Sequence, residues 1–232
     1  MTVAFFWPTR MWRIGAATGL RNFELYEKID AVVVTLTGTA TVQTNWNVLA
    51  GTLQVTGSTA TGQGNISDAS SVTVASGATF GLLGVGGNSE VIGSLSGVAG
   101  SFVTLGGTGT LTAGGNSATT TFAGVMSGTG GFRKVGGGTM TLTNANTFTG
   151  ALLIDGGILE IGTGGSIASA TAVSTSSVAR LTGTTAYTIN APVINLGQIT
   201  GNVTINGNVT NNGGLLPGNS SMPPGGGTTT NP

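Results

Sequence analysis

From residue 31 onward one local pattern recurs: short alternations of apolar and polar residues broken by glycine. VVVTLTG, GTLQVTG, SSVTVASG, SFVTLGG, GTLTAGG, GTMTLTN and GGILEIG are its instances. A period of two predicts strands, here of four to six residues. Leu53 and Val55, Val72 and Val74, Val103 and Leu105, Met140 and Leu142, and Leu159 and Ile161 hold alternate positions. That spacing puts each pair on one face of a pleated chain, with Thr and Ser on the other.

The glycines that open these segments stand at 51, 77, 109, 138 and 157, an irregular repeat with spacings of 26, 32, 29 and 19. Spacings of this size belong to solenoid units, whereas hairpin sandwiches turn every 8–12 residues or so. A sheet coiled rung by rung follows, with about 180 residues at about 20 per rung making about nine rungs and roughly 40 Å. Such a coil needs Gly and Asn at its corners, where φ is positive, and small residues where rungs stack closely. One stretch pulls the other way. In GNVTINGNVTNNG, residues 201–213, Asn206-Gly207 is a hairpin signal. It reads equally as a rung corner, and the same style of sequence before it favours the corner.

The ends differ from this body. Residues 1–30 carry seven of the fourteen charges, two of the three Trp and only two Gly. They lack a clean apolar stretch after a positive start, so no signal peptide is recognised. The segment reads as an atypical leader or a mis-called start, or as an N-terminal cap in which Trp7, Trp12, Phe23 and Leu25 cover an apolar end face. Residues 19–29 read as a short helix. Residues 214–232 hold four of the six prolines and no apolar period, which predicts a disordered tail.

Residues 111–162, LTAGGNSATTTFAGVMSGTGGFRKVGGGTMTLTNANTFTGALLIDGGILEIG, resemble the passenger-associated transport repeat, or autotransporter-associated β-strand repeat, of bacterial autotransporters. The residues that carry the likeness are Gly128, Gly130, Gly131, Gly138, Thr139, Leu142, Asn146, Thr147, Phe148, Gly150, Ile154, Gly157 and Leu159, with Phe122, Gly124, Met126 and Lys134 also on the pattern. Phe132-Arg133 and Ala151-Leu152-Leu153 depart from it. Residues 74–111 are similar to the segment that commonly precedes this repeat. The resemblance implies an all-β fold, a single elongated right-handed parallel β-helix (β-solenoid) over 31–213. It also implies a secreted or surface-exposed passenger, exported through a C-terminal outer-membrane β-barrel translocator. Residues 214–232 are too few for a barrel, so the chain reads as part of a larger passenger.

Composition narrows the chemistry. Gly is 43 of 232 residues and charged residues are 6 %, against usual shares of about 7 % and 25 %. Yet 39 % of residues are apolar, so the chain folds rather than staying disordered. No apolar run reaches the roughly 18 residues of a membrane span. Seven basic and seven acidic residues without a basic cluster leave no nucleic-acid footprint.

With no His and no Cys there is no imidazole base, no Ser-His relay and no thiolate or imidazole metal ligand. Beyond the leader only Asp68, Glu90, Arg133, Lys134, Asp155, Glu160 and Arg180 are ionisable at useful pH. Asp155 and Glu160 are a candidate glycosidase pair by sequence separation, but solvated rim charges are the better reading. GGTGTL at 106–111 places Leu111 where a calcium-binding nonapeptide needs Asp. No catalytic, cofactor or metal site is expected. The leading expectation is a non-catalytic stalk or adhesin meeting glycans or proteins of host or neighbouring cells; the rivals are a carbohydrate-active β-helix enzyme and a unit that assists passenger secretion and folding.

Overall fold

The computed structural model describes residues 11–14, 25–37, 45–57, 65–167 and 171–217. Among them every strand pairing is parallel, and no α-helix occurs. One coil shows how. The chain runs along Ser94–Gly97, turns into Phe102–Leu105, turns again into Thr110–Ala113, and returns at Thr120–Phe122 beside its starting strand. Repetition of that path builds a three-sided β-solenoid.

One side is an eleven-stranded sheet running from Met11–Ile14 to Gly214–Pro217. The second has five strands, Val33–Leu36 to Val125–Gly128, and the third has seven, Glu90–Ile92 to Val209–Asn211. Tyr187–Ile189 and Val203–Ile205 pair where the second side continues in the last coils. Coil length varies as the glycine spacing implied: Trp46 pairs Val72, Thr120 pairs Met140, and Ile199 pairs Leu215.

The interior is a set of columns. On the five-stranded side Val34, Leu53, Phe80, Val103 and Met126 stack in register. On the long sheet Met140, Leu159, Leu181, Ile199 and Leu215 do the same. All five alternating pairs anticipated from sequence are buried to 2 % exposure or less. Each such Leu, Ile or Val contributes about 1.5–3 kcal/mol by leaving water. Outward positions of the long sheet hold hydroxyls, and Thr73 bonds Ser96 while Thr200 donates to Thr182.

Two expectations change, at residues 19–29 and at residues 214–217: Gly214–Pro217 is a strand paired with Gln198–Gly201 of the long sheet, so the tail expected over 214–232 does not include residues 214–217. Leu25–Lys28 is a strand of the long sheet, not part of a helix: Tyr26 and Lys28 face inward, and the Tyr26 ring stacks on Trp46 at 4.5 Å. The long sheet therefore crosses the composition boundary at residue 31. Asn206-Gly207 is a corner, the reading that the sequence before it favoured, because the strands on either side of it pair in parallel with strands one coil earlier and not with each other. Trp7, Phe23, residues 19–24 and the tail from 218 lie outside the described residues, as does the side chain of Trp12.

Candidate functional site

The repeat-like stretch, residues 111–162, occupies two full coils and part of a third, since Leu111, Phe132 and Leu152 stack in register. Gly128 ends a strand of the five-stranded sheet, and Gly130 and Gly131 turn the chain into Gly131–Lys134. Gly138 leads into Thr139–Leu142 of the long sheet, where Thr139 faces out and Leu142 in. Gly150 turns into Leu152–Ile154, and Gly157 opens Gly157–Ile161, with Ile154 and Leu159 both wholly buried. Close approach explains the glycines. A Cβ on Gly150 would lie 2.3 Å from the backbone carbon of Gly130, and one on Gly128, at φ 110, 2.1 Å from the Leu105 carbonyl oxygen.

Asn146 solves the problem of where the five-stranded sheet ends. Residues 145–149 occupy the next position without forming a strand; the Thr147 and Thr149 N–H groups donate back to the Met126 and Gly128 carbonyls, and the Asn146 N–H donates onward to the Ser166 carbonyl. The Asn146 side chain supplies what a strand would have. Its Oδ1 accepts from the Met126 N–H at 2.9 Å, and its Nδ2 donates to the carbonyls of Asn144 at 2.9 Å and Ser166 at 3.1 Å. It is 2 % exposed, beside the buried Phe148 ring. Thr147, between them, points to solvent.

The burial of two lysines escaped the sequence reading. Lys134 stacks between Ala113 and Ile154, and its ammonium donates to the carbonyls of Val135 at 2.7 Å, Gly136 at 3.1 Å and Gly156 at 3.1 Å. All three donors are thereby satisfied, which is what makes a buried charge tolerable. Burial holds its pKa below the ordinary lysine value. Lys28 repeats the arrangement, bonding the backbone and carboxylate of Asp30 and, one coil on, the Ala50 carbonyl at 3.1 Å. That bond holds the Asp30 carboxyl below its usual value. Each lysine ties its own corner to the next. The available signal was alternation, since Phe132 and Lys134 share a face while Arg133 takes the other.

The candidate catalytic carboxylates are separately engaged. Asp155 pairs with Arg133 on the outside of the seven-stranded sheet, and Glu160 accepts from the Thr141 hydroxyl at 2.9 Å on the long sheet. Among the described residues no group of three or more acidic side chains is placed to hold a metal. No described helix is long and apolar enough to cross a membrane.

These features define a parallel β-solenoid whose central coil is a glycine-cornered, asparagine-capped repeat. Residues 132–161 match the model of the passenger-associated transport repeat. A 73-residue segment, 32 % of the chain, is 40 % identical to the adhesin BmaC autotransporter of Brucella suis biovar 1 (strain 1330). The match spans 2 % of that protein's length. No solved structure matches.

Proposed function

We propose that this chain is a segment of an autotransporter passenger, a non-catalytic β-solenoid that acts as stalk or adhesin at the bacterial surface. The unbroken eleven-stranded sheet carries this reading: it makes a rod with an apolar interior and a hydroxyl-rich outer face. The similarity to an adhesin autotransporter supports the adhesive part. The partners are glycans or proteins on host or neighbouring cells, and in the parent protein an outer-membrane barrel. The engagement of Asp155 and Glu160 by different neighbours argues against the glycosidase reading.

The test uses the whole chain, fluorescently labelled, on glycan arrays and cultured cells, with reducing-end release measured on the same polysaccharides. Saturable binding without cleavage is the expected result. Cleavage at enzymatic rates would transfer the chain to the carbohydrate-active class, and no binding to any surface would contradict the adhesin.

A further inference from the structure

The seven-stranded sheet begins at Glu90–Ile92, although four strands of the long sheet and three of the five-stranded sheet precede it in the chain. Its first edge needs closing, because an open strand edge presents unpaired backbone groups. The turn at residues 65–70 lies against it: the Gly93 N–H donates to the Ser70 carbonyl at 2.7 Å. Glu90 does the rest. Its side chain is fully buried, stacked in register with Leu111, and both carboxylate oxygens reach back to the turn. Oε2 accepts from the Asn65 N–H at 2.9 Å and Oε1 from the Ile66 N–H at 2.7 Å. The Asn65 side chain in turn accepts from the Gly57 N–H at 2.7 Å and the Thr56 hydroxyl at 3.0 Å. Ile66 fills the core at 1 % exposure.

We propose that Glu90 is a proton-controlled latch, fastening the 65–70 turn over the first edge of the seven-stranded sheet and releasing it when the carboxyl loses its proton. Among the described residues no cation answers the carboxyl. The turn contributes Asp68, whose like charge acts on Glu90. Thr110–Ala113, Thr52–Val55 and Thr79–Leu82 contribute no ionisable side chain, nor do residues 56–64. Lys134 stands two coils further along the same sheet.

Burial outweighs the two amide donors and, with Asp68, pushes the Glu90 pKa from 4.5 up to about 7. When the turn opens, water reaches the carboxyl and its pKa returns toward the ordinary value. The closed state thus holds its proton over a pH range where the open state does not. Closure is favoured fully below about 4.5 and loses that advantage as pH rises through about 7. A shift of about 2.5 pH units sets a ceiling of about 300-fold on the change in the opening equilibrium.

Hydrogen exchange on the full chain reads this directly. Between pH 5 and pH 9, after correction for intrinsic exchange, protection of the Asn65 and Ile66 amides falls by up to about 75-fold relative to the Phe102 amide, which is bonded to the Ala78 carbonyl within the five-stranded side. In Glu90→Gln the excess fall disappears, and in Asp68→Asn its midpoint moves to lower pH. A carbon-13 titration of the Glu90 carboxyl in the unaltered protein covers the case of a variant that fails to fold. A midpoint near 7 coinciding with the loss of protection supports the latch. A midpoint near 4.5, or turn and core amides that move in parallel, overturns it.

Discussion

Replacing Asn146 by Ala tests whether the repeat's asparagine closes the five-stranded sheet. The substitution removes one acceptor and two donor bonds from a site 2 % exposed. The Met126 N–H is left buried without an acceptor, which costs about 1–3 kcal/mol. The Asn144 carbonyl and one of the two N–H groups at the Ser166 carbonyl are lost as further pairings, at about 0.5–1.5 kcal/mol each. Ser166 retains the Asn146 backbone N–H at 3.1 Å, so its share falls at the low end. The sum is about 3 kcal/mol, and a chain of this length converts it to about 6–12 °C in Tm. Solenoids lose coils locally, so the melt is read together with hydrogen exchange at the Met126 amide. Loss of protection there with the Tm shift is the expected result. A Tm change under 2 °C with the amide still protected would refute the argument.

Glycines with different surroundings separate close approach from turn conformation. Gly150→Ala drives a Cβ into the Gly130 backbone and is expected to cost several kcal/mol, whereas Gly77→Ala, with nothing within 4 Å but φ +77, costs about 1–2 kcal/mol of backbone strain. Denaturant unfolding of the two variants ranks them, and equal losses would contradict the reasoning. Arg133→Ala breaks the exposed pair with Asp155 and is expected to change stability by less than about 1 kcal/mol in the same assay.

The solenoid was legible because its signal is local. Val72 and Val74, or Leu159 and Ile161, announce a strand and its inward face without reference to any other part of the chain. The corner at Asn206-Gly207 was harder, since a tight turn has the same residues whether the strands beside it pair with each other or with the coil below; register across 16 residues decides it. The strand at Leu25–Lys28 was hidden by its charges. Lys28 is acceptable inside only because the Asp30 carboxylate and the carbonyls of Asp30 and Ala50 converge on it, and Ala50 is 22 positions away. Lys134 and Glu90 were visible as ionisable residues but not as interior ones, for the same reason: their partners lie one coil distant. Among the motif residues, glycine positions could be read as corners, while the role of Asn146 as the closure of a sheet needed the neighbouring strand to be seen.

The central claim is that the coils stack in register along one axis, and the chain's lack of cysteine makes it directly measurable. Thr73 and Thr182 lie in strands five spacings apart on the long sheet. Spin labels on Thr73→Cys and Thr182→Cys, read by pulsed electron paramagnetic resonance, are expected to give one narrow distance distribution centred near 24 Å, five spacings of about 4.8 Å. A broad distribution, or one centred beyond about 35 Å, would contradict the stacked solenoid.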